Sequence, residues 1–387
     1  MAGKGRDDPP HQVCYLHATP ERKMISIKSI RTIERLEGYR DSWDSLVKES
    51  GFSNIFLEYD WVMTWWNHFG HGGELRVLLA YEEGELIGIV PLMMRDGWVR
   101  VIRFIGYPHA DYADFIFTRR KRAGLLALMR YFRKQHDWRT LMLLDEIPSH
   151  SDTLRYISEF RSDHRITTYS NSTMALDLRG SRFSPKPQSK WTRRNLRRLR
   201  AHGEPVMYEV KGQEERSSLL DMHIRMNIED WRQRGLRSQF EGKGHQLFLH
   251  DIARVYQERC RIFCYISGER PIAVKVFLQV GDTVILYSHS HDIRYNKYGP
   301  GILSLYKVIE IFQDEGISVI DLSRGIEGYK EQFSNRIDEN HGICIYPNRL
   351  EGLILKSYDL FKRSIMKRPR LHHRINVLRT RFTKGDT

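Results

Sequence analysis

The stretches RVLLAYEEGELIGIVPLMM, residues 76–94, and RIFCYISGERPIAVKVFLQ, residues 261–279, have the same layout. Each runs through a short apolar strand, reverses at a polar turn containing Gly and Glu, and continues into a longer strand whose side chains alternate or become fully apolar. Two such runs around a tight polar turn form a hairpin signature. Working outward from the first hairpin, the pattern predicts a helix over 30–48 and a shorter one over 59–69 carrying Trp61, Trp65 and Trp66. Asn54, Ile55 and Phe56 form the bend between them, and a strand over 99–106, a helix over 122–134 and a strand over 140–144 follow.

Around the second hairpin the reading gives a strand over 173–178, a basic helix over 190–202, a strand over 206–210 and a long helix over 214–233, interrupted near Gly235. After the hairpin come a strand over 283–288, a helix over 301–315 stopped by Gly316, and strands over 319–322 and 342–346. The order of helix, hairpin, strand, helix and strand occurs twice. That repetition predicts duplication of one mixed α/β unit, against a single doubly wound sheet. The expected division is a flexible segment over 1–25, one unit over 26–170, a second over 171–355, and a basic tail over 356–387.

The 387 residues, 41% hydrophobic and 28% charged, suffice for one large or two ordinary domains and exclude a small disulfide-stapled module. Formal charge is +14, of which residues 356–387 supply +8 from 10 basic and 2 acidic side chains, leaving +6 on the rest. The body is mildly basic and favours anionic partners. Cys14, Cys260, Cys264 and Cys344 form no CxxC pair and no metal trio has convincing ligand spacing, so a reducing compartment and no metal site are expected. Residues 1–20 lack the apolar run of a signal peptide, and no stretch approaches the length of a membrane span. The expectation is a soluble cytoplasmic protein whose basic tail can touch the inner, anionic face of a membrane.

The sharpest local feature is YSHSHDIRYNKYGPGILSLYKVIEIFQDEG, residues 287–316. A strand leads through Arg294, Lys297 and Tyr298 into Gly299, Pro300 and Gly301 and then an apolar helix. Glycine permits close backbone approach, proline in the first turn sacrifices no needed donor, and the free amides and dipole of a helix start suit a phosphate. An ordinary loop capped by Gly-Pro-Gly is the bland alternative. The motif is neither GxGxxG after a first strand nor a Walker sequence, which argues against nicotinamide and P-loop chemistry.

Together with SKWTRRNLRRLRAHGE (189–204), MHIRMNIEDWRQRG (222–235), the stretch from Gly268 to Glu310, and GISVIDLSRGIEGYKEQFS (316–334), this arrangement resembles the BioF2-like, or CelD/BcsL-like, branch of the GNAT acyltransferase superfamily, related to the FemAB-type double-domain proteins. The resemblance implies tandem GNAT-like domains, the first degenerate, each a mostly antiparallel mixed sheet flanked by helices. It also implies an acyl-thioester donor, commonly acetyl-CoA, as cosubstrate rather than a tightly bound cofactor, and an amine acceptor, small or carbohydrate-linked. In that family splayed strands present backbone donors to the thioester carbonyl, and the loop before the next helix takes the pyrophosphate. Carried onto this chain, that loop comprises Arg294, Lys297, Tyr298, Gly299 and Gly301.

Acyl transfer from a thioester to an amine needs a proton acceptor, an oxyanion donor and an acid for the departing thiolate. His289 and His291 share one strand face by their spacing of two and are candidates for the base. Asp321, at the end of its strand, is a candidate for orienting the amine or the base, and Tyr329 for protonating the thiolate. Capping, ion pairing and core packing are the plain structural roles of these residues. For the acceptor, Asp230 and Trp231 close the long helix, and Asp111 and Asp114 lie in the aromatic, acidic connector YPHADYADF (107–115). The helix bearing Arg193, Arg194, Arg197 and Arg198 is either a solvated amphipathic face or a contact for phosphate-bearing lipid, the nucleotide part of CoA or tRNA, and the basic tail is a further contact for RNA or an anionic surface. The alternatives to CoA-dependent transfer are thus an aminoacyl-tRNA-dependent FemAB-like transferase and a noncatalytic RNA- or surface-binding protein.

Overall fold

The structure is a computed structural model and describes residues 24–52, 54–135, 139–160, 165–180 and 190–346. The expected tail and the first 23 residues lie outside that set. Its first half contains β1 (Ile25–Ile30), α1 (Ile33–Glu37), α2 (Arg40–Glu49), α3 (Tyr59–Phe69), β2 (Glu74–Leu75), β3 (Val77–Glu82), β4 (Glu85–Val90), β5 (Leu92–Arg95), β6 (Arg100–Phe104), β7 (Ile116–Phe117), α4 (Lys121–Gln135), β8 (Thr140–Pro148) and α5 (Thr153–Ser158). Its second half contains β9 (Arg165–Asp177), α6 (Lys190–Arg200), β10 (Pro205–Glu209), α7 (Gln213–Gln233), α8 (Lys243–Tyr256), β11 (Cys260–Ser267), β12 (Arg270–Val280), β13 (Thr283–His291), α9 (Pro300–Asp314), β14 (Val319–Arg324) and β15 (Arg336–Tyr346).

Both hairpins form as the sequence predicts. β3 and β4 meet with Glu82 opposite Glu85, so Glu83 and Gly84 are the two turn residues, and both have positive φ, 51° and 85°. That is the backbone twist a two-residue hairpin turn demands, and Gly tolerates it at no steric cost. β11 and β12 pair from Cys260↔Leu278 to Ser267↔Arg270. The mixed α/β character and the duplication are visible in the topology. In each half a strand is followed by a helix and then by a parallel neighbour: β6, α4 and β8 in the first half, β13, α9 and β14 in the second.

The two halves do not close as separate sheets. An eleven-stranded sheet runs β10-β11-β12-β13-β14-β9-β15-β8-β6-β5-β2, and β1-β3-β4-β7 form a second sheet. β15, from the end of the described chain, pairs with β8 of the first half on one edge and β9 on the other. The division expected at residue 170 therefore falls inside β9.

Three expectations are corrected. The single helix expected over 30–48 is β1 followed by α1 and α2, with the break at Gly38 and Tyr39. The strand expected through residue 95 divides at Pro91: β4 stays in the four-stranded sheet and β5 joins the large one, because proline has no N–H with which to continue a ladder. The interval after Gly235 holds the unexpected α8, whose N-cap is Gly242 and which makes no side-chain cap.

The helix α3 binds the halves together. Trp61 and Trp65 are spaced i, i+4 and fully buried, so they share a face. The Trp61 ring meets Phe56 at 4.7 Å, Phe248 of α8 at 5.4 Å and Tyr287 of β13 at 5.6 Å, each edge-on. Residues of α2, α3 and β3 thus share one apolar core with α7, α8, β11 and β12. The other face of the second-half sheet is covered by α9 through Leu305, Val308, Ile309 and Phe312, packed on Phe263 and Phe277.

Candidate active site

The parallel pairing of β13 with β14 lasts three residues, Thr283↔Val319 to Ile285↔Asp321, whereas β13 continues to His291. Beyond Ile285 the strands part into a wedge. On its other edge β13 pairs with β12, and there the register slips: Phe277 faces Leu286 and Val276 faces Ser288, which leaves Tyr287 as a bulge. A bulge frees backbone groups from the ladder and re-aims the side chains beyond it. The chain then turns through Ile293–Tyr298 and enters α9 at Gly299, which has φ +66° and ψ +49°. A Cβ at Gly299 would run into the Trp191 ring of α6, so glycine is required there for both conformation and space. Pro300 opens the helix and Gly301 follows at a position whose N–H has no intrahelical acceptor.

The corresponding wedge in the first half is closed. β6 and β8 also pair for three residues, Arg100↔Thr140 to Ile102↔Met142. Past that point the connector 107–115 folds in, and the Ala113 N–H donates to the Glu146 carbonyl at 2.9 Å. Arg103, Asp145 and Tyr169 are joined by hydrogen bonds at the same end.

The two faces of the open wedge differ in chemistry. Val274 and Val276 belong to the core with α7 and α8, so Lys275 between them points to the α9 face, as does its cross-strand partner His289. Tyr329 lies 3.5 Å from His289 Nε2 through its hydroxyl. Burial, followed by the charge of Lys275, holds His289 well below the usual histidine range, and burial pushes the Tyr329 phenol up. His291 follows on the same face, with one ring nitrogen 2.6 Å from Asn296 Oδ1 and its ring 3.6 Å from where a Cβ of Gly301 would stand. His289, His291 and Tyr329 are therefore brought together, next to the start of α9.

On the opposite face Ser288 and Ser290 hold the fully buried His223 of α7, Nε2 at 2.8 Å from Ser288 Oγ and Nδ1 at 2.7 Å from Ser290 Oγ. Burial pushes His223 down to about 3, so it stays neutral. With no carboxylate behind it, this imidazole fixes the Ser288 hydroxyl more than it activates it. Ser288, Tyr287, His109, Asp111, His245 and Arg324 are among the residues around a cavity of about 90 Å³ between the halves. The Trp65 indole N–H donates to His109 Nδ1 at 2.9 Å, which puts the proton of the neutral ring on Nε2. That Nε2 is buried without a partner.

Asp321 lies on this second face, away from His289, because its neighbours Ile320 and Leu322 point into the α9 core. Its carboxylate accepts from the Tyr112 hydroxyl at 2.6 Å and the Ser323 N–H at 2.7 Å, and burial pushes it up to about 6. Asp111 is 5% exposed and accepts from Arg324 Nε and Ser323 Oγ, both at 2.6 Å. Arg324 also donates to Glu146 at 3.1 Å and to the Pro108 carbonyl at 2.9 Å, and Asn340 donates to Glu146 at 3.0 Å. Asp114 is elsewhere, bracing the first half through Lys121, Ser151 and Thr153.

Asp230 pairs with Arg234 at 2.6 Å, and its charge reaches His291; Trp231 beside it is 38% exposed. Arg294 is engaged by Asp292 through bonds of 2.6–3.0 Å, Tyr298 is buried with its hydroxyl 2.7 Å from His202, and Lys297 lies over the Tyr298 ring at 5.0 Å. On α6 the arginines 193, 194, 197 and 198 are all exposed, while Thr192, Asn195 and Leu199 face inward.

Lys275, His223, Ser288, His109 and Arg324 escaped the sequence reading. Ser288 and Ser290 flank His289 and Arg324 follows Ser323, but only the fold shows what each one meets. Among the described residues no cluster of His, Cys, Asp and Glu is arranged to hold a metal ion, and no helix is long and apolar enough to cross a membrane.

A helix-bridged pair of parallel strands that part next to a bulge and an open helix start is a layout suited to acyl transfer. Residues 186–331 match the model of a family described as acetyltransferase (GNAT) domain, and the protein is a transferase. Comparison with the curated proteins gives no match. Among solved structures the chain is similar to FemX, at 9% identity and TM-score 0.53, covering 79% of this chain and 95% of that one. It is similar to a conserved protein of unknown function from Bacteroides thetaiotaomicron, at 12% identity and TM-score 0.54, covering 84% and 100%. It is also similar to L-PGS from Bacillus licheniformis, at 11% identity and TM-score 0.51, covering 85% and 97%. At these identities the likeness is one of fold.

Proposed function

We propose that the protein transfers an acyl group from acyl-CoA to an amine by direct attack on the thioester, as the BioF2-like or CelD/BcsL-like resemblance implies. The observation that carries this reading is the parting of β13 and β14 beyond Ile285 and Asp321, beside the bulge at Tyr287 and the start of α9. In this reading the pyrophosphate sits at Gly299–Gly301 with Arg294, Lys297 and Tyr298 around it, and the thioester carbonyl meets backbone N–H groups freed at the bulge. Tyr329 protonates the departing thiolate, and His289 beside it, kept neutral by burial, takes the proton that the attacking amine gives up. The amine approaches from the cavity between the halves, which Asp111 lines together with its partner Arg324. Asp230, Trp231 and His291 flank the donor loop. The functional division is a first unit to about residue 170, whose wedge is closed, and a second unit that carries the reaction.

A second reading takes aminoacyl-tRNA as donor. It is favoured by the four exposed arginines of α6, which form no ion pair among the described residues, and by the FemX-like fold. Calorimetry of the purified protein with acetyl-CoA, desulfo-CoA and bulk tRNA separates the two. Saturable CoA binding that is lost in Gly301→Asp supports the first reading, because the new carboxylate would occupy the pyrophosphate position. Equal affinity in a folded Gly301→Asp protein removes the site assignment. Absence of CoA binding together with tight binding of charged tRNA selects the second reading.

A further inference from the structure

His223, fully buried on α7, touches both serines that flank His289, with Nδ1 2.7 Å from Ser290 Oγ and Nε2 2.8 Å from Ser288 Oγ. The two contacts are not equivalent. Ser290 is itself buried, and its hydroxyl donates to the Met226 sulfur at 3.9 Å, an atom that can only accept. A hydroxyl has one proton, so Ser290 Oγ accepts from His223, and the proton of this neutral ring sits on Nδ1. Nε2 is then bare and takes the Ser288 hydroxyl proton. With that proton committed, Ser288 Oγ has only lone pairs left for the cavity between the halves, whose wall it shares with Tyr287. Asp111, which also lines the cavity, is engaged by Arg324 and Ser323.

Ser288 directly follows the bulge at Tyr287, on the side from which the amine comes. Consecutive strand residues point to opposite faces, so a nitrogen at the parted edge of β13 has Ser288 on one side and His289 on the other. We propose that Ser288 Oγ holds one N–H of the attacking amine, and that the acceptor is therefore a primary amine. The inference rests on the acyl-transfer reading above and names its acceptor class. A neutral primary amine has two N–H groups. One stays on Ser288 and remains in the product as the amide N–H. As the C–N bond forms and the C–S bond breaks, the other proton passes to His289 and the thiolate takes its proton from Tyr329. Ser288 ends the step with the proton it began with. A secondary amine or an alcohol has a single proton, which cannot be kept on Ser288 and also given to His289. His223 is a positioning residue that acts through the Ser288 hydroxyl.

The test uses the full chain with acetyl-CoA and acceptors of similar shape, butylamine, N-methylbutylamine and butan-1-ol, at mildly alkaline pH. CoA release is the readout, with acetyl-CoA affinity measured beside it by calorimetry. In S288A the rate with butylamine is expected to fall about tenfold, the worth of one neutral hydrogen bond, while the KM for acetyl-CoA is unchanged. The rates with N-methylbutylamine and butan-1-ol should change little, and comparing each acceptor between the two proteins cancels its intrinsic reactivity. If S288A fails to fold by circular dichroism, nitrogen NMR of the histidine-labelled, unaltered protein carries the test, with the Nδ1–H form of His223 expected. An unaltered butylamine rate in S288A overturns the proposal, as does an Nε2–H ring at His223, and both leave the acyl-CoA reading standing. Acetyl-CoA binding without acylation of butylamine also overturns it. Absence of acetyl-CoA binding overturns that reading, and this proposal with it.

Discussion

Replacing Arg324 by Met removes the charge that ties the two halves of the sheet together at the cavity. The guanidinium donates to Asp111 at 2.6 Å, to Glu146 at 3.1 Å and to the Pro108 carbonyl at 2.9 Å, all from the first half. Asp111 and Glu146 are 5% and 6% exposed, so the substitution leaves two buried carboxylates held only by Ser323, Asn340 and Asn171. Breaking a buried ion pair from one side costs about 3–5 kcal/mol. The Arg324 side chain is 31% exposed, and solvent screening lowers the expected loss to about 2–3 kcal/mol.

The loss has a pH signature. Burial already raises the Glu146 carboxyl, against the opposing charge of Arg324. Without Arg324 it rises further. A carboxyl raised in the folded state weakens folding above its unfolded pKa and has no effect below it. The penalty of Arg324→Met is therefore full at about pH 8 and shrinks toward about pH 4–5. Urea unfolding of both proteins at the two ends of this range, with Asp111→Asn completing a double-mutant cycle, measures it. A penalty below about 1 kcal/mol, or one that is the same at both pH values, would refute the buried-pair account.

Asp321, raised by burial to about 6, carries the same sign: it weakens the folded state progressively as pH rises past about 4. Asp321→Asn should accordingly gain on the order of 2 kcal/mol relative to the unaltered protein between about pH 4 and pH 7, and a flat difference would contradict its buried placement. Gly299→Ala should destabilise by about 1–2 kcal/mol, given its positive φ and the Trp191 ring in the way of a Cβ. Gly301→Ala, with only the His291 ring nearby at 3.6 Å, should be close to neutral in the same denaturation experiment. On the acyl-transfer reading, Tyr329→Phe should lower kcat about a hundredfold and leave the KM for the donor nearly unchanged; an unaltered kcat would remove the acid role.

The sequence by itself determined the local units. The two hairpins were legible because turn chemistry and apolar alternation agree at residues 76–94 and 261–279, and α3 and α9 because their apolar spacing and flanking glycines are local signals. It also marked Gly299–Gly301 as a helix start with room for an anion. α8 was missed because its first turn lacks a capping side chain and contains Gly244, so its stability comes from Phe248, Leu249 and Ile252 packed on α3 and β11. Only the tertiary structure decided that β15 joins the halves into one sheet, since strand partners distant in sequence leave no local pattern.

The site divides along the same line. His289, Asp321 and Tyr329 were chosen from residue type and position, but the wedge puts His289 and Tyr329 on one face and Asp321 on the other. The Asp111–Arg324 pair joins residues 213 positions apart, and the bulge at Tyr287 arises from a mismatch between β12 and β13. Lys275 reads in sequence as an ordinary polar position in a strand. Its burial between α9 and the sheet is a property of packing on both faces, which no single strand encodes.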